Sequence, residues 1–360
     1  MENTEYDIKS MTPSEVSELI VSLGDKKFRA KQIYQWMHQK LVASYDEMTN
    51  VPVALRQKLA AEYPLTVLEP VRVQISQIDG TRKYLFRLSD GNLIESVLMK
   101  YHHGNSVCIS SQVGCRMGCR FCASTIDGLV RGLLPSEMLE QIYRIQKDIG
   151  ERVDNVVVMG SGEPFDNFDN LLRFIELLNN EEGLNISARN LTVSTCGIVP
   201  KIYELADMQP QITLAISLHS PNDELRRSIM PVANKYSIDE IMKACRYYVE
   251  KTGRRITFEY SLVKDVNDTD ECAMQLVHLV KGIKCHVNLI PVNPIKERDY
   301  KQTAQAGVNH FRSRLEKCGV NATVRREMGR DIDGACGQLR RSYMESTDSN
   351  EDAPDGIKQE

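Results

Sequence analysis

The chain has 360 residues, 26% of them charged and 42% apolar, the balance of a globular protein long enough for one large core and an accessory domain. No run approaches the ~18 consecutive apolar residues of a membrane span, and the opening MENTEYDIKS lacks the apolar stretch of a secretory leader, so a cytoplasmic, membrane-free protein is expected. The net charge of −4 excludes little, because the stretch STDSNEDAPDGIKQE (346–360) carries five acids and one lysine, leaving 44 basic against 44 acidic residues elsewhere.

Residues 12–64 read as a small helical domain. Thr12 offers an N-cap, Pro13 an N1 proline and Glu15 an N3 carboxylate, and Gly24 closes that helix. A second helix carries Ile33, Trp36 and Met37 on one face, and a third follows Pro52. Between the first two, KKFRAKQ places Lys26, Lys27, Arg29 and Lys31 around Phe28. Such a run suits either a solvated face or a phosphate backbone. From 66 to 110 the period becomes two. Strands are expected around Val67–Ile75, Lys83–Leu88 and Leu93–Met99, turning at Asp79-Gly80 and Asp90-Gly91.

Farther along, a helix from Pro135 to Asp148 precedes the strand NVVVM, and NLTVST, ITLAISL, ITFEYSLV, HVNLI and NATVRR follow with helical stretches mostly between. This alternation implies a parallel sheet, a full or partial barrel, whose chemistry sits at the C-terminal strand ends. Those ends are polar: MGSGEP (159–164), STCG (194–197), SLHS (217–220) and NLIPVNP (288–294).

Ten cysteines in a reducing compartment point to metal or catalysis before structural disulfides. Four fall within SVCISSQVGCRMGCRFC (106–122). Cys115, Cys119 and Cys122 follow C-x3-C-x2-C, which suits three irons of a [4Fe–4S] cluster with the fourth iron open. A zinc site completed by Cys108 or a distant histidine is the alternative. Cys245, Cys272, Cys285 and Cys318 fit helical or strand patterns as small core residues.

The C-x3-C-x-F-C signature, with Phe121 before the last cysteine, resembles the radical S-adenosylmethionine (SAM) superfamily. CISSQVGCRMGCRFC, MGSGEP, TVSTCGIVP, SLHSPND, RRSIMPV, NLIPVNP and DIDGACGQL together resemble the adenosine-C2 RNA methyltransferases (RlmN) and their C8-modifying relatives (Cfr). The resemblance implies an α/β fold, a radical SAM partial TIM-type β/α barrel over 105–345. To it would be joined an N-terminal helical RNA-binding domain (1–65), a β extension (66–104) and a disordered acidic tail (346–360).

It further implies a [4Fe–4S] cluster on Cys115, Cys119 and Cys122, and SAM held by Gly162, Glu163, Ser194, Ser217, Leu218, His219 and Asn293. Cys336 would accept a methyl group from one SAM, a radical from a second would activate it, and the adduct with the adenine would be released by a disulfide between Cys336 and Cys108. Glu95 would accept the substrate proton, with Cys108 as the other candidate base. Cys196, at a position often serine, reads as a substitution beside the SAM pocket.

The implied substrates are an adenosine near the peptidyl-transferase centre of 23S rRNA and the adenosine 3′ of the tRNA anticodon. Basic candidates for RNA are Lys26, Lys27, Arg29 and Lys31, with Arg325, Arg326 and Arg330 near Cys336. A donor such as flavodoxin or ferredoxin would supply electrons to a monomer. Pro164 in GEP resembles the C2 branch; Ser161 and Gly334 depart from its commonest pattern without removing a needed chemical group. C8 methylation is the runner-up, and a zinc-stabilised RNA-binding module and a radical SAM enzyme for another substrate are the competing classes.

Overall fold

A computed structural model describes residues 7–292, 300–332, 338–340 and 342–344. The helical domain comprises α1 (Pro13–Ser22), α2 (Phe28–His38) and α3 (Val53–Glu62). Thr12 and Glu15 form the expected capping box, with Thr12 N–H donating to Glu15 Oε2 at 2.6 Å and Glu15 N–H to Thr12 Oγ1 at 3.3 Å. Such a cap contributes about 1 kcal/mol. Val16, Ile20, Ile33, Met37, Leu55 and Leu59 close a core of the domain's own. Trp36 sits at its rim rather than inside, donating to Asn50 Oδ1 and carrying Lys40 over its ring.

The β extension is a meander of β1 (Glu69–Ile75), β2 (Arg82–Arg87) and β3 (Leu93–Tyr101). β3 pairs antiparallel with β4 (Gly104–Ile109), which also belongs to the parallel part. After β4 the chain makes a separate two-stranded hairpin, β5 (Gln112–Gly114) and β6 (Leu129–Gly132), then α4 (Pro135–Ile149). Units of strand and helix follow: β7 (Asn155–Val158), α5 (Phe168–Asn179), β8 (Leu191–Thr195), α6 (Val199–Asp207), β9 (Thr213–Ser217), α7 (Asp223–Ile229), α8 (Ile238–Thr252), β10 (Ile256–Leu262), α9 (Asp270–Val280), β11 (Cys285–Pro291), α10 (Gln305–Lys317) and β12 (Ala322–Val324).

The large sheet runs β1-β2-β3-β4-β7-β8-β9-β10-β11-β12, antiparallel as far as β4 and parallel from there on. It is therefore an open, partial barrel, continued at one edge by the meander. Val156, Val158, Leu214, Ile216, Phe258 and Leu289 from its strands pack with the apolar faces of α4, α5, α6 and α8 in one core. Parallel pairing places the C-terminal ends of β4 and β7 to β11 on one rim.

The helical domain meets this barrel through a buried polar seam. Lys9 Nζ pairs with Glu140 Oε1 at 2.6 Å and donates to the Thr66 carbonyl at 2.7 Å, with both charged side chains fully buried. His38 Nδ1 meets Tyr143 Oη at 2.6 Å, and Arg173 on α5 reaches Glu15 at 2.9 Å. Of the cysteines expected in the core, Cys245 and Cys272 are buried and Cys285 is half-buried. Cys318 is exposed. It falls just past the end of α10 as its C-cap, where the helical pattern that suggested burial has stopped.

Candidate active site

Cys115, Cys119 and Cys122 ride on the loop that joins β5 to β6. Gly114 (φ +73°) makes this loop possible, because a Cβ there would stand 2.0 Å from the Gly128 carbonyl oxygen. Cys115 N–H donates to that same carbonyl at 2.8 Å, and Thr125 Oγ1 donates to the carbonyls of Cys119 and Cys122 at 3.1 and 3.0 Å. The three side chains face one cavity of about 250 Å³. Burial, Cys122, Glu163 and Asp166 push the Cys115 thiol up to about 12, and burial, Cys122, Cys115 and Glu163 raise Cys119 as well. Among the described residues no three such side chains converge as ligands of a single ion would.

The opposite wall of this cavity is made by strand ends. Gly162 and Glu163 follow β7, Ser194 and Cys196 mark the end of β8, Ser217 and His219 that of β9, and Ile290 to Val292 that of β11. Gly162 (φ +107°) is required for a reason internal to the fold: a Cβ would lie 2.6 Å from Gln112 Cβ. Glu163 is buried, with Oε1 accepting from Phe165 N–H at 3.0 Å and Oε2 from Cys196 N–H at 2.7 Å. Burial raises its pKa, partly offset by the backbone and side chain of Cys196, the Thr195 side chain and the Phe165 backbone. The two backbone donors orient this carboxylate on the cavity wall. The hydroxyls of Ser194 and Ser217 are 3.2 Å apart.

His219 has φ +53° and an edge-on contact between its ring and Phe121, with centroids 4.8 Å apart. Burial and the Arg226 charge depress its pKa to about 3, so the ring is neutral. Nδ1 accepts from Ser261 N–H at 3.0 Å, which places the ring proton on Nε2 as a donor. Leu218 is in the core instead of the cavity wall, its N–H bonded to the Glu259 carbonyl at 3.1 Å and its own carbonyl to Arg226 at 3.1 Å. Cys196 keeps its proton: burial, Glu163 and Cys119 raise its thiol well above the usual range. Asn293, the neighbour of Val292, lies outside the described residues.

A second cavity of about 730 Å³ adjoins the first, and Ile290, Pro291 and Arg325 line both. Cys108, from β4, opens into this larger space beside Val97 and Met99 of β3. It is therefore apart from Cys115, Cys119 and Cys122. Cys336 lies outside the described residues, but Ile332 and Gln338, which flank its segment, line the cavity that receives Cys108. Arg325, Arg326 and Arg330 stand exposed at this cavity, Arg330 paired with Glu327 at 2.7 Å.

Glu95 is a buried ion-pair partner instead of a solvent-facing strand residue. Lys83 Nζ is 3.1 Å from Oε2, and Arg340 N–H donates to Oε1 at 2.7 Å. Alternation along β3 puts Glu95 on the face of Val97, and Val97 is the register partner of Cys108. Lys26 and Lys27 stand exposed in the helical domain, whereas Arg29 donates to the Asn50 carbonyl and Lys31 pairs with Glu182 at 3.1 Å.

Two residues escaped the sequence reading. Glu259, buried on β10, faces the smaller cavity and accepts from Asn288 Nδ2 at 2.8 Å; burial raises its pKa. The available signal was a lone carboxylate in the apolar strand ITFEYSLV. With Glu163 it makes the cavity complementary to a cationic ligand. Arg226, in RRSIMPV, is fully buried behind the same wall.

The donor set fits the group implied by the cysteine pattern. Three thiols, Cys115 buried and Cys119 and Cys122 half-buried, line one cavity, and a coordinating metal deprotonates such thiols outright. In a cubane each thiolate binds its own iron, so convergence on a single point is not required. The carboxylates of Glu163 and Glu259 on the same cavity would suit SAM, which carries an ammonium and a sulfonium.

Comparison with known proteins agrees. Residues 109–277 match the family model described as the radical SAM superfamily, and residues 6–64 the ribosomal RNA large subunit methyltransferase N-terminal domain. A protein of Lachnospira eligens, named "Probable dual-specificity RNA methyltransferase RlmN", is 71% identical, covering 96% of this chain and 99% of its own. A relative of the same name from Lachnoclostridium phytofermentans is 60% identical, covering 95% and 96%. The crystal structure of a radical SAM methyltransferase from Sphaerobacter thermophilus superposes with a TM-score of 0.89 at 45% identity, over 92% of this chain and 98% of that one. The chain belongs to the RlmN family of radical SAM RNA methyltransferases, enzymes that work with a [4Fe–4S] cluster and SAM.

Proposed function

We propose that this enzyme methylates C2 of an adenosine near the peptidyl-transferase centre of 23S rRNA and of the adenosine 3′ of the anticodon in tRNA, through a methylated Cys336. The relatives' shared description as dual-specificity RNA methyltransferases supports the two substrates. The observation that carries the reading is the pair of adjoining cavities. One gathers the cysteine loop with Glu163, Ser194, Ser217 and His219, and the other gathers Cys108, the flanks of the Cys336 segment and three exposed arginines.

Bound cluster and SAM supply one-electron chemistry, which reaches an electron-poor aromatic carbon that polar methyl transfer does not. Cys115, Cys119 and Cys122 hold the cluster. Glu163 receives the SAM ammonium, His219 donates from Nε2, Ser194 and Ser217 offer hydroxyls to SAM, and Asn293 completes the set. The larger cavity takes the adenine. A base edge is reachable there only when unstacked, so the target is flipped or unpaired, with Arg325, Arg326 and Arg330 and the Lys26–Lys31 run steering phosphates.

Cys108 faces that cavity and is placed to attack, as a thiolate, the sulfur of Cys336 in the adduct, so that the S–S bond forms as the S–CH2 bond breaks, the freed carbon gains a proton to become the new methyl group, and an external thiol reductant reopens the disulfide. The base for the adenine C2 proton is either Glu95, which would give up its Lys83 or Arg340 N–H contact to accept it, or Cys108. Electrons come from a flavodoxin- or ferredoxin-type donor, and the enzyme acts as a cytoplasmic monomer.

Mass spectrometry of nucleosides from RNA of a deletion strain, with and without the gene restored, tests the reading. Loss and recovery of 2-methyladenosine in both RNA classes is expected. 8-Methyladenosine instead moves the enzyme to the C8 branch, and no change in either RNA overturns the assignment. With Cys108→Ala, a protein–RNA crosslink should accumulate on denaturing gels; free product at the normal yield contradicts its release role.

A further inference from the structure

Arg226 projects from α7 behind the wall of the smaller cavity, fully buried. Nε donates to the Leu218 carbonyl at 3.1 Å, and Nη2 to the carbonyls of Cys196 at 2.6 Å and Ser217 at 3.3 Å. Nη1 is buried and has no hydrogen-bond partner among the described residues. Among the described residues its hydrogen bonds thus go to carbonyls, and these, with the nearby Asp223 charge, offset part of a full charge that is costly to bury. Asp223, one turn back on α7, is directed elsewhere, accepting from Ile238 N–H at 2.8 Å.

The missing negative charge has an evident source. Cys119 packs with Cys196, Ile229 and Met230. Arg120 N–H donates to the Ile229 carbonyl at 2.9 Å, which pins the cysteine loop to the C-terminal end of α7. The guanidinium is within electrostatic reach of Cys119 and of His219. A cubane on three thiolates is anionic, and becomes more so on accepting an electron. Cluster potentials respond to local charge and to donors near the sulfurs.

We propose that Arg226 is the built-in counter-cation of the iron–sulfur cluster, a positioning residue that ties together the strand ends at Cys196, Ser217 and Leu218 and whose charge makes the cluster easier to reduce. One electron from an external one-electron reductant enters the cluster; Arg226 forms no bond and transfers no proton. The inference rests on the cluster at Cys115, Cys119 and Cys122 and is indifferent to which adenine carbon is methylated.

The test uses the full-length chain reconstituted anaerobically with iron and sulfide, as wild type, Arg226→Lys and Arg226→Met. Cluster content is measured first, then the midpoint potential by dithionite titration followed by electron paramagnetic resonance, without SAM or RNA. In Arg226→Met the reduced-to-oxidised ratio at the wild-type midpoint should fall about tenfold, equivalent to ~59 mV for one electron. Arg226→Lys, which keeps the charge, should stay within about threefold of wild type. Equal midpoints in all three loaded proteins overturn the proposal and leave Arg226 a structural staple.

A wild type that takes up no [4Fe–4S] cluster overturns the cluster assignment itself, a separate failure. If Arg226→Met does not load, pulsed resonance on 15N-arginine-labelled protein decides. A nitrogen coupling to the reduced cluster that is present in wild type and lost in Arg226→Lys supports the proposal, and no such difference overturns it.

Discussion

Two buried cations stand in different parts of this molecule and are treated differently. At the seam between the helical domain and α4, Lys9 is neutralised within the protein by Glu140, which Arg144 and Leu68 N–H also hold. Behind the cysteine cavity, Arg226 receives only carbonyls and keeps one nitrogen unpaired among the described residues. Both feel the same desolvation, which lowers the pKa of each. The seam is complete as folded; the cavity floor is completed by what binds there. A buried charge that the chain neutralises itself is architecture, and one that it does not neutralise marks a place for a ligand.

That contrast is sharpened most by removing the anion on each side. Cys119→Ser, which takes a ligand from the cluster, should reduce RNA methylation to background and strip iron and sulfide, while the chemical denaturation of the metal-free protein shifts by less than about 1 kcal/mol. Glu140→Ala should do the reverse. Leaving Lys9 buried and unpaired costs about 3–5 kcal/mol in denaturation, and Lys9→Met combined with Glu140→Gln should recover most of it. Methylation per folded molecule should be unchanged in both. A loss of cluster in Glu140→Ala protein that remains folded would break the comparison.

A smaller effect tests both regions together. Each holds a buried neutral histidine, His38 at the seam and His219 at the cavity, with pKa depressed to about 3 by burial and a nearby cation. The unfolded chain binds these protons near 6.5, so their contribution is fully present above pH 6.5 and is lost as pH falls toward 3. At pH 5 each histidine should account for roughly 2 kcal/mol of lost stability. Denaturation at pH 7.5 and pH 5.0 measures it, and His38→Gln should remove about half of the difference; an unchanged pH slope in that variant contradicts the assignment. The smallest effect lies outside both regions. Lys26→Ala with Lys27→Ala should weaken RNA binding by about threefold and lower the salt slope by about one to two, read by filter binding at several ionic strengths.

Much of this was legible from local pattern. The Thr12–Glu15 capping box, the turns at Asp79-Gly80 and Asp90-Gly91, and the three-cysteine loop are set by neighbours in sequence, and the strand ends carrying Glu163, Ser217 and His219 follow from the rhythm of strand and helix. Other features depended on partners far along the chain. Trp36 matched the buried face of its helix yet lies at the rim, and Cys318 matched a helix that ends one residue earlier. The burial of Glu95 against Lys83 comes from pairing across β2 and β3. Gly162 borders the cysteine cavity, and only the packing showed that its missing Cβ also makes room for Gln112.

The sequence by itself determined which groups are present: three thiols spaced for a cluster, a fourth set apart, and polar residues closing successive apolar strands. Spacing within a loop and periodicity along a strand are local, so they survive without coordinates. Only the tertiary structure decided that Cys108 opens into a cavity next to the one lined by Cys115, Cys119 and Cys122 instead of into it. It alone also left Arg226 behind that cavity's wall with one nitrogen unpartnered among the described residues, because burial and charge balance are properties of everything the fold packs around a group, not of the residues beside it in the chain.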